Sequence, residues 1–273
     1  LKPGSLTQEK LAEWLDEHDE AGKTRSLSHR GYAGTLTLGG AAEDGDDIVL
    51  DTATGAELDD ESTLATVLFT SRRLHETLLL DLGWLVTAAT IAMTALILLG
   101  ILMGLPRLKN SLSGWHKGMA WFTLPLLILS PVTALFMAFG ITFTGGPPSG
   151  GGRGGAGSSL PIKEAVQIIA AQKDLSTLVN LRARGPRLME RLVEDGEFRA
   201  YAVAKEGLTP LSRNWPRLLH EGNWGGHLSA FLNVLTSVVF MGLMGTGLIL
   251  WVQRRFFRQR KKGALAAARS TTS

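Results

Sequence analysis

The chain contains no cysteine. That excludes disulfides, thiolate metal sites, cysteine nucleophiles and thioether-linked haem, so any metal or cofactor must be held by His, Asp, Glu or Met. Hydrolytic signatures are missing as well. There is no His-Glu-x-x-His, no Gly-x-Ser-x-Gly and no acid–base pair within an apolar stretch, which argues against a hydrolase. The most informative scarcity is local. Three windows, Leu82–Leu105, Met119–Phe143 and Leu228–Val252, carry no charge at all, and each is 24 or 25 residues long. At about 1.5 Å of rise per residue, a helix of that length exceeds the roughly 30 Å hydrocarbon core of a bilayer. They predict three transmembrane helices.

Lys and Arg (28) barely outnumber Asp and Glu (25), and the excess is not a nucleic-acid signature. It gathers in Arg254, Arg255, Arg258, Arg260, Lys261 and Lys262, directly after the third window. The loop between the first two windows carries Arg107, Lys109 and Lys117 without an acid. Short basic loops stay cytoplasmic, so residues 1–81 and 144–227 are expected outside and the C-terminus inside. The second outer segment is rich in arginine (Arg182, Arg184, Arg187, Arg191) but is too long for its charge to govern topology. No basic start and apolar stretch of signal-peptide type precedes the first outer segment. Crossing of the first outer segment therefore calls for either a signal peptide since removed or a further membrane helix ahead of Leu1.

Between the windows the pattern is that of small mixed units. Ser5-Leu-Thr-Gln-Glu9 reads as a helix start with Ser5 as N-cap, ahead of Leu11, Trp14 and Leu15 on one face. Alternating runs at Thr24–Ser28, Thr35–Leu38 and Ile48–Leu50 predict a small antiparallel sheet. Asp51-Thr-Ala-Thr-Gly55 closes it as a turn, with Gly55 supplying positive φ. Gly145–Ser159 is a flexible linker; it lacks the Lys-Ser/Thr and flanking strand of a phosphate loop. Pro161–Gln172 predicts an amphipathic helix, followed by strand-like runs from Leu175 to Ala204. The second outer segment loosely repeats the first, which suggests an internal duplication.

Six histidines are present. His18 and His29 are expected on the surface of the outer unit. The other four stand at window boundaries: His75, His116, His220 and His227. His75 precedes its window by seven residues and His220 its own by eight, so continuous helices would hold both at one depth. Two imidazoles from different helices at one depth suit the axial ligation of a b-type haem. Gly242, Gly245 and Gly247 would let a flat macrocycle or another helix approach the third span. The competing reading is that these histidines anchor helix ends among headgroups.

Four stretches carry a family resemblance: Val49-Leu-Asp51-Thr-Ala-Thr-Gly55, Leu74-His75-Glu-Thr-Leu-Leu, Trp115-His116-Lys-Gly, and Thr246-Gly-Leu-Ile-Leu-Trp251 before Arg254-Arg255. In this order the chain resembles the PepSY-associated transmembrane family of bacteria, some members of which are membrane ferric reductases of siderophore-iron uptake. The Asp-Pro-x-Thr-Gly ending usual in a PepSY unit is only partly kept, since Thr52 and Ala53 follow Asp51.

The resemblance implies a membrane α-helical bundle, three helices here and four in the full protein, with two small α+β PepSY-like extracytoplasmic domains. The implied layout is a first domain over 1–74, a helix over 75–105, a cytoplasmic loop over 106–118, and a helix over 119–143. A linker over 144–160, a second domain over 161–219, a helix over 220–252 and a basic tail over 253–273 follow. His75 with His220 or His227 would bind an outer haem b, and His116 a second, inner one, its partner on the further helix. Arg72 and Arg73 would pair with haem propionates or an anionic ferric chelate, or else sit as charges at the headgroup boundary. The implied function is reduction of ferric iron or a ferric siderophore outside the bacterial inner membrane. No dinucleotide fingerprint is present in a strand-to-helix context, so the expected donor is a quinol or a partner in a membrane complex. The rival readings are a non-catalytic accessory or scaffold subunit, whose PepSY-like domains dock a periplasmic partner, and a regulator of extracytoplasmic proteases.

Overall fold

The computed structural model describes residues 6–19, 21–58, 63–144, 160–184 and 187–270. The first unit is α1 (Gln8–His18), β1 (Ser26–Arg30), β2 (Thr35–Gly39) and β3 (Ile48–Asp51). Thr7 is the N-cap of α1, its side chain accepting from the Lys10 amide; the expected cap Ser5 lies outside the described residues. α2 (Thr63–Thr77), α3 (Gly83–Leu102), α4 (Leu112–Phe122) and α5 (Leu124–Ala138) follow. The expected linker Gly145–Ser159 is likewise outside the described residues. The second unit is α6 (Ile162–Ala170), a 3₁₀ turn at Leu175–Thr177, then β4 (Leu178–Arg184), β5 (Arg187–Glu194), β6 (Glu197–Ala204) and β7 (Gly207–Pro210). α7 (Trp215–Glu221) and α8 (Gly226–Ser270) complete the chain, α8 running on through the basic tail.

The two outer units are not separate domains. All seven strands form one antiparallel sheet, in the order β3-β2-β1-β4-β5-β6-β7. The join is between the first strands of the two units, with Leu27 opposite Leu181 and Ser28 opposite Asn180. A three-stranded meander exposes unpaired edges, and pairing β1 with β4 removes one edge from each. α1 and α6 cover the same face, and a single core forms from Leu11, Leu27, Leu36, Leu181, Leu192 and Ile169, all fully buried. Each half therefore reads helix, then meander, and the halves meet about an approximate two-fold axis at the β1–β4 seam.

This seam corrects the expectation for His29. It is buried, at 7% exposure, and its Nδ1–H donates to the Leu178 carbonyl at 3.0 Å. A residue on what reads as an edge strand has become part of a sheet centre. His18 is half-buried, its Nε2 lying 3.3 Å from the Gly55 carbonyl. The Asp51 turn forms as expected: the Asp51 carboxylate accepts from the amides of Ala53 and Thr54, and Gly55 has φ 78°. These hydrogen bonds from Thr54 and Ala53 hold the Asp51 pKa below its ordinary value.

Two described helical stretches are long and apolar enough to cross a membrane, α3 and Gly226–Phe256 of α8. α4 and α5 meet that test only as a pair, bent by 64°. The break falls at Thr123 (φ −101°, ψ 11°), and Pro125, in the first turn of α5, has no N–H to carry the α4 ladder across it. The apolar window Met119–Phe143 is thus a broken element instead of one straight helix. Trp84 near the start of α3 and Trp115 and Trp251 at the other end are exposed, where amphipathic rings suit a bilayer's two surfaces. None of the residues of α3 is buried within the fold, and its apolar side chains meet lipid. The chain is a membrane protein with an α+β part.

Candidate histidine site

His75 and His220 do not extend the membrane helices as expected; each stands in the last turn of a separate short helix. α2 is cut from α3 by Leu78, Leu79 and Asp81, all at positive φ near 60°. α7 starts with Asn214 as N-cap, accepting from the Arg217 amide, and carries Pro216 in its first turn. It ends at Gly222, whose φ of 70° closes the helix in the left-handed region. A Cβ on Gly222 would also stand 2.9 Å from the Asn233 side chain. The short helices lie over the bundle, α7 against α5, so depth is set by these caps and not by continuity with the spans.

The result is a facing pair. The ring centroids of His75 and His220 are 6.1 Å apart with 22° between planes. His220 Nδ1 lies 3.0 Å from the Ser130 carbonyl and 3.2 Å from Thr133 Oγ1. A carbonyl can only accept, and the Thr133 hydroxyl already donates to Leu129 at 2.7 Å. Nδ1 therefore carries the proton and Nε2 keeps its lone pair. This is the outer-shell arrangement that orients a metal-ligating imidazole. Pro131, inside α5, interrupts the helix ladder beside Ser130. His75 is exposed.

His116, on α4, has the same chemistry at a distant point. Its Nδ1 lies 2.7 Å from Thr246 Oγ1, whose own proton goes to the Gly242 carbonyl at 2.7 Å. Nε2 is again the bare nitrogen. Thr246 stands 20 residues along α8 from Gly226, which is about 30 Å of helix. Gly247 faces the His116 ring and Gly242 faces Met119, so these glycines admit α4 to α8. No second histidine ring pairs with His116 among the described residues. His227 is exposed in the first turn of α8, outside the His75–His220 pair.

The arginines divide. Arg72 pairs with Glu76 at 2.9 Å and Arg73 with Asp81 at 3.6 Å. Arg217 pairs with Glu221 at 3.2 Å. Written side by side, Arg72-Arg-Leu-His75-Glu76 and Arg217-Leu-Leu-His220-Glu221 are one motif, Arg-x-Leu-His-Glu, with the same i,i+4 ion pair in each copy. That repetition is the strongest sign of duplication in the chain, and a search for short internal repeats would have singled out these two histidines over His227. Ser130, Thr133 and Thr246 carry no such mark; only packing brings them to an imidazole.

The 6.1 Å centroid separation leaves room for a metal that His75 and His220 would hold between them. A metal about 2.0–2.1 Å from each of two facing nitrogens separates the ring centroids by about 6 Å, close to the 6.1 Å found. Among the described residues no three His, Asp, Glu or Cys side chains gather as a cation site, so a group supplying its own equatorial ligands suits this donor set better than a bare ion.

The family model for the PepSY-associated TM region matches residues 4–254. No curated protein matches the chain.

Proposed function

Because this chain belongs to the family of the PepSY-associated TM region, we propose that it is a membrane electron-transfer protein that holds a b-type haem between His75 and His220. In this reading it reduces ferric iron or a ferric chelate on the sheet side of the bacterial inner membrane. The observation that carries it is the facing pair at 6.1 Å, with His220 fixed in the tautomer that leaves Nε2 free. The basic loop (Arg107, Lys109, Lys117) and tail (Arg254, Arg255) support a cytoplasmic tail side and a periplasmic sheet.

Bound there, the haem would supply the one-electron couple; the protein supplies ligands, orientation and surroundings. His220 is held by the Ser130 carbonyl and Thr133, so its ring cannot rotate without losing both contacts. His75 brings the second nitrogen from α2, within the exposed rim open to a substrate. Glu76 and Glu221 keep Arg72 and Arg217 extended along their helices one turn before each histidine. His116, some 30 Å along α8, is the donor-side ligand in the same reading, with Thr246 as its orienting partner.

The docking-subunit reading rests on a different observation, the outer edge of the sheet at β7, where a partner strand could add; the β3 edge is covered by residues 56–58.

The test is an absorbance spectrum of the purified full-length protein. A Soret band that sharpens on dithionite, falls in His75→Ala and His220→Ala with any remainder lost on adding His116→Ala, and is unchanged in His227→Ala is the expected result. A folded, colourless preparation that takes up no hemin overturns the haem reading and leaves the docking one.

A further inference from the structure

The sheet face turned away from α1 and α6 carries an arginine cluster that the histidine pair does not use. On β5, Leu188, Glu190 and Leu192 are buried on the helix side, so Met189 and Arg191 point to the other face. Arg182 of β4 is opposite Met189, and Arg191 is opposite Asn180 and Ala200, which puts Arg182 and Arg191 diagonal to each other on one face. That face rests on α7 and the start of α8. Phe198 donates its amide to the Asn223 carbonyl at 3.1 Å, and Gly226 donates to Gly196 at 2.9 Å.

Arg191 is half-buried there, its guanidinium 5.9 Å from the centre of the Phe198 ring. Burial holds its pKa below the ordinary arginine value. Glu221 opposes that shift, while Arg217, Arg182 and Arg72 add to it. These five charged groups therefore come from four elements, α2, β4, β5 and α7. Arg72 and Arg217 have their own glutamates; among the described residues no carboxylate lies within 4 Å of Arg182 or Arg191. Arg182, exposed, and half-buried Arg191 share one face with no carboxylate in ion-pair contact, and Glu221 offsets the charge around Arg191 only in part, so an anion between the two guanidiniums is favoured.

We infer that Arg182 and Arg191, assisted by Arg217 and Arg72, form a binding site for a pair of carboxylates at the rim of the His75–His220 site. Guanidinium forks bind carboxylates bidentately, and such charge-assisted bonds are stronger than neutral ones. Two sources present that chemistry at this place: the carboxylates of a porphyrin held by the two histidines, or those of a separate polycarboxylate chelate. The inference rests on the histidine reading only for the first source.

The experiment uses full-length protein in nanodiscs of zwitterionic lipid, with the variant Arg182→Gln/Arg191→Gln and the charge-keeping Arg191→Lys. Hemin and hemin dimethyl ester are titrated by absorbance, and citrate by calorimetry. If the porphyrin supplies the carboxylates, the double variant binds hemin at least about tenfold more weakly with the ester unchanged, and Arg191→Lys recovers part of the loss. If a chelate supplies them, citrate binding to the wild type is lost in the double variant while the hemin-to-ester ratio holds. The site is overturned when both the hemin-to-ester ratio and citrate binding are the same in wild type and double variant. A wild type that binds citrate through these arginines but takes up no hemin removes the histidine reading and leaves the anion site standing.

Discussion

Tyr201 stands directly opposite Glu190 across the β5–β6 ladder, yet its hydroxyl reaches past Glu190 and donates to Glu194 at 2.6 Å. Lys173 also goes to Glu194, at 2.7 Å, and caps the Tyr201 ring at 5.1 Å. Glu190 is left at 1% exposure with neither carboxyl oxygen hydrogen-bonded. Burial, reinforced by the Glu194 charge and opposed by Lys173, pushes its pKa from 4.5 up to about 7.

The unfolded chain releases the Glu190 proton near 4.5 and the folded one near 7, so the folded state binds more protons in that window and loses stability as pH rises through it. Full ionisation costs about 3 kcal/mol. Glu190→Gln should therefore raise the melting temperature of the full-length protein in micelles at pH 8 and leave it little changed at pH 4.5. Equal effects at both pH values would contradict a buried, unpaired carboxyl.

His29 gives the opposite slope. Burial lowers its pKa below 6.5, partly offset by the bond to Leu178. The unfolded state takes up the proton first on acidification, so stability is lost as pH falls below 6.5. His29→Gln, which keeps a donor for the Leu178 carbonyl, should flatten the melting curve between pH 5 and 6.5. An unaltered acid limb would show that the β1–β4 seam does not bury this imidazole.

Gly55→Ala tests the Asp51 turn. At φ 78° an alanine is strained, and its Cβ would be driven into the Trp14 indole. A loss of about 2–4 kcal/mol is expected in chemical denaturation followed by tryptophan fluorescence. Thr54→Ala, which removes the hydroxyl's 3.1 Å bond to Asp51 and its 3.3 Å bond from the Ala56 amide on an exposed turn, should cost no more than about 1 kcal/mol.

Thr246→Val removes the acceptor for His116 Nδ1 and keeps the side-chain shape. The α4–α8 contact should weaken by about 1 kcal/mol, read as a lower midpoint in detergent unfolding. Thr246→Ser, which keeps the hydroxyl, should restore it. A valine variant with an unchanged midpoint would show that the hydroxyl contributes nothing to the contact.

What the sequence determined by itself is one-dimensional. Charge-free windows long enough for a bilayer, the caps and turns at Asp51–Gly55, the alternating strand runs and the histidines at window edges are all properties of neighbours along the chain, and periodicity and composition register them directly. The two Arg-x-Leu-His-Glu stretches were legible in the same way. The tertiary structure decided what those pieces meet. Pairing β1 with β4 fused two expected domains into one sheet and buried His29, because closing an unpaired edge outweighs keeping the units apart. Left-handed residues after α2 and at Gly222 cut the histidine helices from their spans, and Pro125 broke the second window. Only that folding brings His75 to His220, and Ser130 and Thr246 to the imidazoles they orient. Such contacts depend on where each backbone turns in space, which no local pattern records.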